Sequence, residues 1–446
     1  MKSKALACVG FAFALVVNTG CSGPSNEPGT VEVMTWWTEP GEREALNVLL
    51  EMFEGRYPNQ TVSPTEIEGS SAAREMITQR VLEGYPPETF QANGGSDLMA
   101  WVAYNNNAGG RESKLEALDS NAAWVKDMPT PVLDTVRFEG KIYGVPLNIH
   151  RLNVLFFNKQ VFTDHDLPVP TSATLSTVDE LFALCDTLAA KGVPPIALAL
   201  EETPWLALYL FENLLVARAG AAYYRIFFQG QLDAKRIVDS PYLRDAIGDL
   251  AKLLSYDREA RARTWTEAVD AVVRKQAAMT IMGDWAKGYM KRQAPPDQQD
   301  DFGAIRTPGT GDSFVFTTDT FGLPKGARNR SGALKLLDVF ASQPGQDEFN
   351  LIKGSIPARN DADRSKFDPI SQAAIDDFRH AAEDSANLVP ATSIMAPRDY
   401  MDPIDVLLAD YAGKNAERPD LAGNASVVLH GLANRYDTLR NTVWRY

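Results

Sequence analysis

The feature that most constrains this chain is the alternation of short apolar runs with longer amphipathic helices along nearly its whole length. Val31–Met34 predicts a first strand. EREALNVLLEMFEGRY, Glu42 to Tyr57, predicts a first helix whose Leu46, Leu49, Leu50 and Phe53 line one face. Thr61–Ile67 reads as a second strand and Ala72–Glu83 as a second helix, stopped by Gly84 and the Pro86-Pro87 pair. Phe138–Gly144 predicts a tight hairpin, and Val145–Phe162 a buried extended segment leaving one core for another. Helical periodicity returns over Thr177–Lys191, Trp205–Ala217, Leu243–Leu254 and Trp265–Lys275, while Phe302–Pro308 and Thr318–Leu323 look extended. Leu334–Ser342 and a helix-rich tail to Tyr446 complete the chain. Strands interleaved with helices bury their sheets beneath those helices, giving an α/β fold. A chain of 446 residues exceeds one ordinary core, so two lobes are expected.

The residues before Val31 bear on which solvent those lobes meet. Lys2 and Lys4 are followed by an apolar run of 13 residues, Ala5 to Val17. A permanent membrane helix needs ~20 residues, whereas this length and charge fit an export signal. The run ends at Asn18-Thr19-Gly20-Cys21, which resembles a bacterial lipoprotein cleavage site apart from Asn18, where an aliphatic residue is usual. Residues 1–21 are therefore expected to direct export, with Cys21 as lipid attachment point and 22–30 as linker. Cleavage nearby by a general signal peptidase is the alternative. Cys8 leaves with the signal and Cys21 would carry lipid, so Cys185 remains alone and no internal disulfide can form. The formal net charge is −14, and the leader holds lysines but no acid, so the exported part is more acidic still. Such a chain is poorly suited to phosphate backbones, and no nucleic-acid partner is expected. After the leader no apolar stretch reaches membrane length.

Most enzyme classes find no support. The histidines, His150, His165, His380 and His430, lie far apart, with no His-Glu-x-x-His and no cysteine pair, so neither a metal site nor a cofactor is expected. There is no phosphate-cradling Gly-Lys-Ser/Thr loop and no Gly-x-Ser-x-Gly elbow. A glycosidase, which needs only two carboxylates astride a sugar, stays open among 58 acids. Against it stands a set of aromatic and amide-rich segments at strand ends and helix starts, beginning with Trp36-Trp37 and Glu42. Sugars offer apolar C–H faces and hydroxyl rims, which flat indoles and charged or amide groups match. Hydrogen bonds to charged groups contribute ~1.5–3 kcal/mol against ~1 for neutral ones. Neighbouring residues of an extended segment point to opposite faces, so at most one of Trp36 and Trp37 is expected in one core.

The chain resembles the family 1 extracellular solute-binding proteins of ATP-binding-cassette importers, most of all the glucose- and mannose-type sugar binders. The carriers are WWTEPGE (Trp36–Glu42), PPETFQANGG (Pro86–Gly95), VPLNIHRLNVLFFNK (Val145–Lys159), TPWLALYLFENLL (Thr203–Leu215), RTWTEAV (Arg263–Val269), AAMTIMGDWAKGY (Ala277–Tyr289), FTTDTFGLPKG (Phe316–Gly326) and KGSIPARND (Lys353–Asp361). The resemblance implies a two-lobed, type II periplasmic-binding fold that closes on its ligand. Its discontinuous lobes would be 31–147 plus 309–343 and 148–308 plus 344–446. It implies that Trp36 and Trp37 supply a stacking indole, with Glu42, Gln91, Asn93, Asp319 and Lys353 meeting hydroxyls and Trp265 forming a wall from the second lobe. Arg151, Trp205, Asp284 and Trp285 are further candidates. Several have a plainer rival: Glu42 suits the first turn of a helix, Asp284 a turn or cap, Asp319 a strand turn, Lys353 a solvated surface lysine, Trp205 a helix-start staple, and Arg151 a cleft or hinge ion pair. The implied partners are a mono- or oligosaccharide, the importer's permease and, through Cys21, a membrane, with the chain acting as a monomer and no catalytic residue.

Two departures bear on the ligand. Asn93 stands where this subfamily is expected to place a basic side chain. After Leu388-Val389-Pro390 the segment Ala-Thr-Ser-Ile-Met lacks the expected histidine. With every 1.4 kcal/mol worth tenfold in affinity, two missing partners point away from the usual hexose. An exported carbohydrate-active enzyme and an adhesive lipoprotein remain alternatives to a sugar binder.

Overall fold

The computed structural model of the chain describes residues 29–105, 111–200, 205–415 and 421–443. The leader, Cys21 and nearly all of the linker lie outside them, as do Thr203 and Pro204.

The first lobe is built on a five-stranded sheet in the order Thr61–Glu66, Thr30–Thr35, Thr89–Asn93, Asp319–Gly322, Gly144–Pro146. The first three strands are parallel, and Asp319–Gly322 runs antiparallel between its neighbours. Pro64 sits in the edge strand, where a missing N–H costs least. Helix Glu42–Arg56 turns Ala45, Leu46, Leu49, Leu50 and Phe53 onto this sheet, so the expected apolar stripe is the buried face. Its entry needs Gly41 at φ 86°, a backbone angle that a side chain would strain.

The segment expected to cross between cores does so in three short steps. Gly144–Pro146 closes the first sheet, Asn148–Arg151 joins a four-stranded sheet with Ile356–Pro357, Phe314–Thr317 and Leu388–Pro390, and Val154–Asn158 centres a three-stranded sheet with Met279–Ile281 and Phe302–Arg306. Over these sheets helices Val178–Ala190, Trp205–Phe228 and Pro241–Ser255 pack with the tail helices Arg398–Asn415 and Leu421–Val443 into the second core. The helix predicted to stop at Ala217 continues to Phe228 across a break at Gly220.

Two chain crossings differ from expectation. Phe314–Thr317, expected in the first lobe, pairs with Asn148–Arg151 and Leu388–Pro390, so the return to the first sheet falls at Thr318 rather than near Pro308. Helix Gln343–Lys353, expected in the second lobe, carries Phe349 into the first core beside Trp37. The chain therefore leaves that lobe after Lys353, not near Gln343. Both shifts arise from long-range pairing, which local periodicity does not register. Where the strands pass side by side, Thr318 donates to the Asn148 carbonyl (2.6 Å) and the Asp319 N–H to Asn148 Oδ1 (2.9 Å). Among the described residues no helix is long and apolar enough to cross a membrane.

Candidate functional site

Because Thr30–Thr35 and Thr89–Asn93 are parallel neighbours, the segments that leave their C-terminal ends emerge on one side of the first sheet. Alternation then separates the two indoles. Trp37 is 1% exposed and packs between Phe321 and Phe349, with ring centroids 5.6 and 5.1 Å away. It is therefore a core residue, which removes it from the expected ligand wall. Trp36 is half-buried, and the Arg74 guanidinium lies 4.6 Å from its ring centre.

Gln91 is buried with both ends of its amide used. Its oxygen accepts from Thr35 Oγ1 (2.5 Å) and the Trp36 N–H (3.2 Å), and its nitrogen donates to Asp319 Oδ1 (2.8 Å). Asp319 faces Asn93 across the sheet, and its second oxygen lies 2.8 Å from Asn148 Nδ2 and 3.0 Å from His150 Nε2. The other ring nitrogen of His150 is 2.5 Å from Asp284 Oδ1, and Asp284 Oδ2 accepts the Arg151 N–H (2.9 Å). A buried polar line, Thr35–Gln91–Asp319–His150–Asp284, thus runs from the first sheet to the start of helix Trp285–Gln293 in the second lobe. Both imidazole nitrogens face carboxylates, which favours the protonated ring, although Nε2 also lies 2.9 Å from the Asn148 amide nitrogen, a donor from which only a neutral ring accepts. Burial alone would lower the His150 pKa, but Asp284 and then Asp319 outweigh it and hold it above 6.5. Burial likewise pushes Asp319 up, yet the hydrogen bond and charge of His150, with Lys353 and Asn148, bring it down to about 2.

Lys353 ends its helix 2% exposed, with Nζ 2.6 Å from Glu42 Oε1, 5.6 Å from the Trp37 ring centre and 6.0 Å from that of Trp285. Glu42, in the first turn of its own helix, is thereby an ion-pair partner as well. Trp285 meets His150 edge-on at 5.1 Å and lies 6.3 Å from Trp205, itself edge-on to Tyr209 at 6.1 Å. Trp265 opens helix Trp265–Val273, fixed by a reciprocal cap between Thr264 and Glu267, and packs at 5.3 Å on Tyr289 in a cluster that also takes in Trp205 and Trp285. The second lobe's three candidate indoles therefore share one aromatic cluster. Arg151, on the opposite face of its strand from His150, pairs with Asp377 (2.6 Å) and lines a cavity of about 240 Å³ whose wall also includes Asp284.

Asn93 is partly exposed, and its N–H donates to Asp97 Oδ2 (3.1 Å). The same oxygen accepts from Arg74 Nε (2.9 Å), while Arg398 Nε of the second lobe is 3.4 Å from Asp97 Oδ1. Two guanidinium groups thus stand close to the position where residue 93 lacks a basic side chain. The segment without the expected histidine, Thr392–Met395, packs instead on the first lobe: a Cβ on Gly95 would lie 2.4 Å from the Ile394 carbonyl oxygen.

Sequence reasoning missed the roles of Asn148 and His150, although their period-two spacing in a crossover strand puts both on one face. It also missed Arg74, Asp97 and Arg398, for which no local signal exists. Among the described residues no group of three or more His, Cys, Asp or Glu side chains is arranged to hold a metal ion.

Two α/β lobes, joined by neighbouring crossings and meeting over indoles and a buried polar line, define a solute receptor of the two-lobed periplasmic-binding class. The chain belongs to the bacterial extracellular solute-binding protein family, whose model matches residues 28–347. It is 33% identical over 426 residues to an ABC transporter extracellular-binding protein of Pyrococcus horikoshii, with 91% of each chain covered. It is 30% identical over 373 residues to a protein of Brucella suis named "probable sugar-binding periplasmic protein", covering 83% of this chain and 84% of that one. Among solved structures, a bacterial solute receptor, AcbH, described as having an exclusive preference for β-D-galactopyranose matches with TM-score 0.77 and 18% identity, over 92% of this chain and 99% of that one. At that identity the likeness speaks for the fold. Members of the family bind and hand over solutes and are not enzymes.

Proposed function

We propose that this chain is the sugar receptor of an ATP-binding-cassette importer, holding a mono- or oligosaccharide between its lobes and presenting it to the permease. The observation that carries this reading is the pairing of a buried polar line, Gln91–Asp319–His150–Asp284, with indoles from both lobes. Flat rings suit the C–H faces of a sugar, and fixed amides and charges suit its hydroxyls. The relatives named as sugar-binding proteins point the same way. In this reading Trp36, Glu42, Gln91, Asn93, Asp319 and Lys353 form one wall and Trp265, Trp205 and Trp285 the other, while Asp284 holds His150 and Arg151 braces the hinge. Trp37 supports the first wall from behind. The lobes exchange chain at 147–148, at Thr318 and between Lys353 and Ile356.

Closure over the ligand rests on differential contact: only a sugar touching both lobes shifts the balance toward the closed form. The receptor works outside the cytoplasm as a monomer, exported by residues 1–21 and tethered through a lipid on Cys21.

A thermal-shift screen of the purified chain over mono- and disaccharides tests the reading, since a ligand at 100 times its Kd stabilises by ~2.7 kcal/mol. Trp36→Ala and Trp265→Ala are expected to weaken binding and ligand-induced compaction. If both variants bind and compact like the parent, the proposed cleft is wrong; if no sugar shifts the parent, so is the ligand class.

A further inference from the structure

Arg74 has no part in the polar line from Thr35 to Asp284. Helix Ser70–Glu83 lays its guanidinium over Trp36, and the bond from Nε to Asp97 fixes the plane of the group. Nη1, however, is buried and has no hydrogen-bond partner. The indole beneath it offers a π face but no acceptor atom. Asp97 is shared with the Asn93 N–H and with Arg398 of the opposite lobe. Buried donors are nearly always satisfied, so an acceptor from outside the chain belongs here.

The charges around this point indicate what kind of acceptor. Arg74 and Arg398 face Asp97 in contacts of 2.9 and 3.4 Å, and Asp319 is the second carboxylate whose charge acts on Arg74. Two further acids lie near Arg398: Asp402, 3.9 Å away and more than half exposed, where solvent screens it, and Asp405, whose carboxyl is pushed up to about 8 by burial, so that it is largely protonated at neutral pH. Cations and carboxylates balance, so an anionic ligand would bring a buried charge with no counterpart, whereas a hydroxyl would not.

We propose that Arg74 is a specificity-determining contact of the site, its Nη1 donating to a hydroxyl oxygen of a neutral sugar held beside Trp36, in place of the basic side chain absent at Asn93. The proposal rests on the sugar-receptor reading and deepens it by naming the ligand class and the residue that selects it.

The test is titration calorimetry of the full chain and its R74K and R74M variants against neutral hexoses, pentoses and disaccharides, with D-glucuronate and D-galacturonate alongside. The parent is expected to prefer a neutral sugar. R74M is expected to bind it roughly 10- to 100-fold more weakly, the effect of losing one charge-assisted hydrogen bond. R74K keeps a cation but not the planar fork, and is expected to recover only a small part of that loss. Should R74M fail to fold, as judged by circular dichroism, R74K decides alone. Parent-like affinity in whichever variant decides means that Nη1 serves only water, and overturns the proposal. Tighter binding of a uronate than of any neutral sugar overturns the ligand class. A parent that binds no sugar overturns the receptor reading and this inference with it, whereas intact binding with parent-like variants overturns this inference alone.

Discussion

His150→Gln is the substitution that most directly tests how the lobes are tied together. The imidazole sits between Asp284 and Asp319 at 2.5 and 3.0 Å, with all three side chains buried. Glutamine keeps an N–H donor but removes the charge, leaving two buried carboxylates without their cation. Breaking a buried ion pair from one side costs ~3–5 kcal/mol. Asp284 keeps the Arg151 N–H, and Asp319 keeps Gln91 and Asn148, so the low end, about 3 kcal/mol, is expected. The cost varies with pH. The folded-state pKa of His150 is raised above 6.5, so its stabilisation is fully present below that value and is lost as pH rises through the folded pKa. Asp319 is depressed from 3.8 to about 2, so its contribution is present above pH 3.8 and is lost as pH falls toward 2. That difference corresponds to about 2–3 kcal/mol. The gap between parent and variant is therefore widest from about pH 4 to 6.5 and narrows on either side. Urea unfolding followed by circular dichroism from pH 3.5 to 9 measures it, and His150→Gln with Asp284→Asn is expected to recover most of the loss by removing the orphaned charge. A loss under ~1 kcal/mol at pH 5.5, a gap that does not change with pH, or further destabilisation by Asp284→Asn would refute the reasoning.

Three further outcomes are expected. Trp37→Ala, by emptying a core site against Phe321 and Phe349, should cost ~3–5 kcal/mol in urea unfolding, whereas Trp36→Ala should chiefly lower sugar affinity. Lys353→Met strands Glu42, whose side chain is 13% exposed, and should cost about 2 kcal/mol, with Glu42→Gln restoring part of it. Cys185 is fully buried and burial pushes its thiol pKa up to about 12, so the native chain should resist iodoacetamide, with alkylation appearing by mass spectrometry only on unfolding.

Local pattern carried much of the fold, because an amphipathic helix has to declare its buried face. Leu46, Leu49, Leu50 and Phe53 are all in the core, as their spacing predicts. Strand polarity likewise separated Trp37 from Trp36. The lobe boundaries were harder to read, since Phe314–Thr317 takes its place from partners more than 70 residues away in either direction. The polar line was hidden for the same reason: His150 meets Asp284 and Asp319 across 134 and 169 residues. Arg74 was invisible, because a single arginine in a helix is ordinarily a solvated one.

Trp285 has a use beyond packing. Its indole lies edge-on to His150 at 5.1 Å and has Lys353 Nζ 6.0 Å from its centre, so one ring senses a cation from each side of the cleft. Indole emission responds to nearby charge. When the lobes part, Lys353 retreats with the first core, and the colour and yield of Trp285 emission should change while tryptophans such as Trp37 keep their surroundings. The chain thus carries its own optical gauge of opening, which Trp285→Phe would silence, and domain motion can be followed on a stopped-flow timescale with no added dye.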